Sequence, residues 1–417
     1  MDRPSQMMKY AWFILFIISF SSASANTIRV GSKLPIKTIT SALKIALPKD
    51  TITVESGVYK EGSIVIANPV VLIGIGRPVI DGQHKFENIS IKSPGVTVKG
   101  FRVINSGVSS VIDFAAIKVY NTSSATIQDN IIEDAFFGIY AQQATNCIIK
   151  DNVLSAHSKL EQQSGNGIHC WKSDSLLIIH NTISGHRDGI YFEFVTNSVI
   201  WRNYSSGNIR YGLHFMFSND DSYITNQFEN NGAGVAVMFS HGVKMFNNYF
   251  TKNWGDASYG ILLKEISDSH IQGNRFEYNT SAIYMEGASR IMLDRNSFNN
   301  NGWGLKIQAS CMDITLFHND FIGNSFDVGT NGSLVLNKFD YNYWDKYEGY
   351  DLNKDRIGDI PFRPVSLYSM IVEKNPPVMI LFRSFITTLM DKTEKVIPSI
   401  TPESLIDNYP LMKPIVK

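Results

Sequence analysis

Residues 203–226 read NYSSGNIRYGLHFMFSNDDSYITN, and residues 226–248 read NQFENNGAGVAVMFSHGVKMFNN. Each stretch opens and closes on asparagine. Each also carries a glycine followed by an apolar residue, Gly212-Leu213 or Gly234-Val235, 14 positions before the closing asparagine. The beat extends outward in both directions through Asn130, Asn152, Asn181, Asn203, Asn226, Asn248, Asn274, Asn296 and Asn319, with most steps 22 or 23 residues. The glycine mark keeps time with it at Gly138-Ile139, Gly167-Ile168, Gly189-Ile190, Gly260-Ile261 and Gly304-Leu305, with Ala282-Ile283 standing in once. A fixed period of this size means that one supersecondary unit was copied and stacked.

Within each unit, apolar residues alternate over short stretches. The position three before the asparagine is apolar almost throughout (Ile127, Ile149, Ile178, Ile200, Met245, Ile271, Leu293, Leu316), with Tyr223 the exception. Two after it stand Ile132, Leu154, Ile183, Phe228, Phe250, Phe276, Phe298 and Phe321, with Ser205 odd. Period-two alternation points these positions inward along strands. Three short strands per coil predict an all-β right-handed parallel β-helix. The asparagines then have a structural role: stacked at a repeated turn, each side-chain amide bonds its neighbour one rung away, and Asn tolerates the left-handed backbone such a turn requires.

The bulk numbers agree. Formal charge is zero and pI near 7.1, which argues against a nucleic-acid partner. Cys147, Cys170 and Cys311 are too few and too scattered for a disulfide framework. Arg3 and Lys9 precede an apolar run from Tyr10 to Phe20, and Ala23-Ser24-Ala25 offers small residues for cleavage, so residues 1–25 read as a cleaved signal peptide. The chain divides into that signal, an N-terminal cap and first coils at 26–125, regular coils at 126–344, and a tail at 345–417. Thr38 to Leu47 has helical spacing and is expected to cap the open end of the core, which would otherwise expose strand edges.

Function is sought where the beat is broken. The arm between asparagine and glycine is normally eight or nine residues, but stretches to 15 before Gly167 and 12 before Gly260. Enlarged loops on one edge of a solenoid usually build its working face. On the strand beginning at the glycine, Ile168 and Cys170, Leu213 and Phe215, Val235 and Val237 face in. The alternate residues form an outward ladder: Tyr140/Gln142, His169/Trp171, Tyr191/Glu193, His214/Met216, Ala236/Met238, Leu262/Lys264, Tyr284/Glu286 and Lys306/Gln308. Met238 is expected one rung from Met216, and imidazole with thioether suits a soft ion such as Cu(I). His169 and His241 are further candidate metal ligands. An outward patch of Met and His also suits protein contact, with Trp171, Tyr191 and Glu193 as candidate partner-binding residues. Alternatively, Trp171, Tyr191, Glu193 and His214 line a sugar groove, although Glu193 is the sole ladder carboxylate until Glu286, and Asp220 and Asp221 lie beyond the strand.

In the tail, Asp351 to Asp359 alternates oxygen ligands like a calcium loop. Arg356 stands where such a turn wants Gly and no Glu closes it, so it reads as a self-bonded turn. After Pro376-Pro377, Val378 to Met390 is apolar except for Arg383. It is too short to span a bilayer and suits docking on a membrane protein or on the solenoid end, with Val378, Leu381, Phe382 and Phe385 as contacts.

These segments resemble the NosD-type periplasmic maturation proteins of nitrous oxide reductase. The resemblance runs over nearly the whole mature chain. It is carried by Gly57-Val58-Tyr59, by Gly165 to His169, by Gly212 to Asp220, by Gly349-Tyr350-Asp351 through Gly358-Asp359-Ile360-Pro361, and by Pro377 to Met390. It implies a periplasmic, non-catalytic copper-binding accessory protein at the inner membrane, not membrane-spanning itself. Its partners would be an ABC-transporter ATPase and permease, a copper chaperone and the reductase, whose copper-sulfide centre it helps assemble. His214, Met216 and Met238 would be transient copper contacts, and the Val378–Met390 segment would meet the permease. A polysaccharide lyase or epimerase on the same groove is the alternative.

Overall fold

A computed structural model describes residues 26–415 except 110, 158–159, 333–335 and 398–404. The signal segment therefore lies outside the described residues. The strands form three parallel sheets, with neighbours drawn from successive coils. The first sheet holds 14 strands, from Thr27–Val30 to Lys338–Asp340. The second holds 13, from Val58–Tyr59 to Tyr343–Trp344, and the third 12, from Ile64–Ile66 to Phe326–Gly329. This is the expected parallel β-helix, and the glycine-led strands make up most of the third sheet.

The inward residues pack as an unbroken column. Ile127, Ile149, Ile178, Ile200, Met245, Ile271, Leu293 and Leu316 are at most 1% exposed, and so is Tyr223. The site two after the asparagine becomes an aromatic stack: Phe228–Phe250, Phe250–Phe276, Phe276–Phe298, Phe298–Phe321 and Phe321–Trp344 lie 5.3, 4.8, 5.1, 4.5 and 4.2 Å apart. Ser205 stands just before Phe228, where the stack begins, and donates its hydroxyl to the Gly212 carbonyl. Cys170 is fully buried and all three cysteines are free thiols.

The asparagines stack between the first and second sheets. Asn226 is typical: its Nδ2 donates to the Ile200 carbonyl and to Asn248 Oδ1, while its Oδ1 accepts from the Asn203 backbone N–H and Nδ2. The chain of amides runs from Asn130 to Asn342. The expected left-handed backbone falls one residue earlier. It is Asp129, Asp151, His180, Arg202, Thr225 and Asn247 that have positive φ, not the asparagines. The turn places the asparagine side chain inward, where its own hydrogen bonds replace the missing ladder, so the conformational strain lies on its exposed neighbour. A second amide ladder, Asn208–Asn231–Asn253–Asn279–Asn301–Asn324, lines the turn between the second and third sheets.

Helix α1 (Ile39–Ile45) begins on Thr38, whose hydroxyl accepts from the Ser41 N–H, and buries Ile39 and Ala42 against the first coils. In the tail, Asp351 accepts from the N–H groups of Asp355 and Arg356, and Asp359 from that of Leu352, giving the self-bonded turn. Helix α2 (Leu367–Lys374), a 3-10 turn (Pro376–Leu381) and helix α3 (Phe385–Val396) follow. Among the described residues no helix is long and apolar enough to cross a membrane.

Candidate functional site

The third sheet's outward face is built in register. Lys118, Tyr140, His169, Tyr191, His214 and Ala236 occupy successive rungs of one ladder. Gln142, Trp171, Glu193, Met216, Met238 and Lys264 occupy the next. The first ladder points away from the core yet is hardly solvated: Lys118 is 4% exposed, Tyr140 5%, His169 9% and His214 5%. Its rings cover one another, with centroids 4.4 Å apart for Tyr140–His169 and 5.0 Å for both His169–Tyr191 and Tyr191–His214. Lys118 closes one end over the Tyr140 ring and donates to the Asp113 carbonyl in the 105–114 loop.

The expected soft-metal residues divide on inspection. Met216 and Met238 are rung-to-rung partners, both half-buried, on the same strands as the candidate face. His214 lies two residues before Met216 on the same side of the sheet, and neither of its ring nitrogens has a hydrogen-bond partner. The Tyr191 hydroxyl donates to the Met216 sulfur at 3.7 Å, so the thioether is oriented rather than loose. Met216 and Met238 are adjacent on one ladder, and His214 lies buried on the neighbouring ladder of the same face. His169 does not join them, because the Tyr191 ring stands between the two imidazoles and His169 Nδ1 already pairs with the Asn166 amide at 2.9 Å. Burial and the Arg187 guanidinium push the His169 pKa down to about 3, so it stays a neutral imidazole. His241 is exposed in the turn after Met238, bridged to Ser267 and near Asp268, around the corner from the third sheet. Among the described residues no group of three His, Cys, Asp or Glu could hold a metal ion.

Trp171, Tyr191 and Glu193 stand where expected, on the two outward ladders beside this area. Burial and the Glu193 and Asp188 carboxylates push the Tyr191 phenol up to about 12, so it is a hydrogen-bond donor at neutral pH. Glu193 and Glu286 are four rungs apart, about 19 Å at the usual strand spacing. Paired glycosidic carboxylates lie about 5–10 Å apart, so the two cannot share one glycosidic bond. Asp221 offers no substitute, since it is buried in the turn with Oδ1 held by the Ser198 N–H.

Two features of this region escape sequence reading. Phe194, Phe217 and Phe239 follow Glu193, Met216 and Met238 directly, at φ of 54°, 52° and 53°. They are 40–44% exposed and stack 5.2 and 5.1 Å apart, forming an apolar shoulder beside the methionines. The corner is left-handed in successive coils, at Lys172 and Glu265 as well, and phenylalanine is an uncommon residue to hold there. The second feature is Asp188, whose carboxylate is 3.8 Å from His214 Nδ1 and from the Nε atoms of Arg187 and Arg210. The signal for the phenylalanines was their place in the repeat, where the next coil has Glu265 and the previous one Lys172.

The tail's docking candidates also separate. Val378 and Phe382 pack against a cluster of Trp303, Phe326, Tyr368 and Val372 at the end of the third sheet. They hold the helices onto the solenoid and are not free for a partner. Leu381 and Phe385 are exposed, Phe385 at 82%, together with Ile380, Ile386 and Leu389.

Fold and face together define a parallel β-helix with His214, Met216 and Met238 on one sheet and an apolar helical tail. The family model described as periplasmic copper-binding protein NosD matches residues 155–353. A Pseudomonas aeruginosa protein named "Probable ABC transporter binding protein NosD" is 28% identical, over 84% of this chain and 86% of its own. A Stutzerimonas stutzeri protein of the same name is 26% identical over 85% of each. Over these spans the chain is similar to the NosD family. Among solved structures, the catalytic domain of a GH87 α-1,3-glucanase in complex with tetrasaccharides superposes with a TM-score of 0.59 at 10% identity, covering 77% of this chain and 69% of that one. The catalytic unit of a Streptomyces thermodiastaticus GH87 α-1,3-glucanase gives 0.56 at 13% identity, covering 73% and 67%. These two likenesses concern the fold alone.

Proposed function

We propose that this chain is a periplasmic copper-delivery protein that takes Cu(I) transiently at His214, Met216 and Met238 and works on an ABC transporter to assemble the copper-sulfide centre of nitrous oxide reductase. Copper is cargo here, received from a copper chaperone and passed on. The observation that carries the reading is the pairing of Met216 with Met238 on adjacent rungs beside an imidazole whose nitrogens have no partner. Two thioethers and one imidazole are soft, neutral donors that suit Cu(I). The half-buried methionines and the low ligand number favour hand-over above storage. The family description and the relatives' names support the copper and transporter parts. For the permease, the exposed Ile380, Leu381, Phe385, Ile386 and Leu389 offer an apolar helical face of the kind that lies on a membrane protein. The chain itself is read as non-catalytic; Glu193 and Glu286, about 19 Å apart, cannot act together on one glycosidic bond.

The test is Cu(I) titration of the purified protein against a competing chelator. Wild type is expected to compete at least tenfold better than the triple variant His214→Ala/Met216→Ala/Met238→Ala. Equal competition by the two proteins contradicts the site. Release of unsaturated sugars from uronate polymers contradicts the delivery role.

A further inference from the structure

We propose that Asp188 is a positioning residue that fixes the tautomer of His214, holding the proton on Nδ1 and leaving the Nε2 lone pair free as a metal donor; only the last of these steps rests on the copper reading above. Asp188 begins the strand Asp188–Glu193 and sits in register with Tyr211, whose N–H it accepts at 3.3 Å. Its rung neighbour on the next coil is Tyr211, followed by Ala233, so no second carboxylate faces it from that side.

Three buried polar atoms without hydrogen-bond partners converge there: Asp188 Oδ2, His214 Nδ1 and Arg187 Nε. Oδ2 lies 3.8 Å from each of the other two. A buried polar atom left unpaired costs about 1–3 kcal/mol, so three facing one another mark groups built to interact. A shift of about 1 Å brings Oδ2 within hydrogen-bond distance of both donors. Arg187 and Arg210 flank the carboxylate with their Nε atoms 3.8 Å from its oxygens, so donors face it from both sides.

An imidazole nitrogen that faces an acceptor-only group must carry the hydrogen. Neutral imidazole has a single N–H, so the proton on Nδ1 leaves Nε2 with its lone pair. The ring cannot easily turn over to present the other edge, being held between Tyr191 at 5.0 Å and Tyr211 at 4.8 Å, with Arg210 stacked over Tyr211. Carboxylates that orient ligand imidazoles in this way set both direction and basicity.

The experiment uses the full protein, metal-free, labelled with 15N-histidine, and reads ring tautomers by long-range 1H–15N correlation. The His214 signals are assigned by their loss in His214→Gln. The expected wild-type pattern is a protonated Nδ1 and an unprotonated Nε2. Asp188→Asn, whose amide can donate to Nδ1, is expected to invert that pattern and to weaken Cu(I) binding about 10–100-fold. Asp188→Glu, which keeps the carboxylate, is expected to restore the wild-type tautomer. Wild-type His214 carrying its proton on Nε2, or on both nitrogens, overturns the proposal, as does an unchanged tautomer in Asp188→Asn. A tautomer that inverts as expected while Cu(I) affinity stays the same upholds the positioning role and overturns His214 as a copper ligand.

Discussion

The asparagine spine and the outward ladder of the third sheet climb the same helix with the same rung spacing, yet they are opposites chemically. On the spine one residue type repeats, and every amide both donates and accepts along the axis. On the ladder nothing repeats for more than two rungs, and His214 and Asp188 hold polar atoms with no partner. A solenoid lets the two solutions coexist because each coil contacts mainly its neighbours. Identity down a column signals a position given over to self-pairing; variety down a column shows that stacking alone does not dictate the residue.

The comparison breaks if the spine proves dispensable. Asn226→Ala removes four hydrogen bonds and orphans the Asn203 N–H, so it is expected to destabilise the protein by about 4 kcal/mol in equilibrium urea unfolding. A loss below about 1 kcal/mol would make the column decorative.

Asp221 sharpens the contrast, being a carboxylate at an inward corner where scaffold chemistry is expected. Burial pushes its pKa up to about 8. The unfolded side chain ionises near 3.8, so the folded protein keeps a proton that the unfolded one has released. The associated stability is full below pH 4 and falls as pH rises toward 8, at up to about 1.4 kcal/mol per pH unit. Asp221→Asn keeps an oxygen for the Ser198 N–H and is expected to raise stability at pH 7.5, on the order of 3 kcal/mol, while flattening the profile between pH 5 and 8. Thermal melts across that range check it; parallel profiles for the two proteins would place the titration elsewhere.

The smallest expected effect concerns the phenylalanine shoulder. Phe217→Asn relieves a positive φ of 52° but removes two ring stacks. The two contributions are each about 1 kcal/mol and opposed, so the melting temperature should move by no more than a few degrees. A shift beyond about 8 °C in either direction would make the shoulder a structural element rather than a free surface.

Much of the fold was legible because the beat that encodes it is local and repeated. Inward Ile127 or Phe250 follows from alternation alone, and the amide spine from spacing. The left-handed residue was misplaced by one because both members of the Asp129-Asn130 pair tolerate the conformation, and only the hydrogen bonds choose between them. For the face, register placed Met216 against Met238 correctly. His169 was harder: outward on a strand does not mean exposed, and the Tyr140 and Tyr191 rings that bury it come from neighbouring coils. Asp188 was missed because its partners His214 and Arg210 lie a full coil away. In the tail, apolar spacing could not say which side of the helices met the solenoid, so Val378 and Phe382 were grouped with Leu381 and Phe385.

X-ray absorption at the copper edge of the Cu(I)-loaded protein bears most directly on the His–Met surface. Copper held by Met216, Met238 and His214 predicts two sulfur scatterers and one imidazole nitrogen, with both sulfurs lost in Met216→Ala/Met238→Ala. A first shell of nitrogen and oxygen alone, unchanged in that variant, would contradict it.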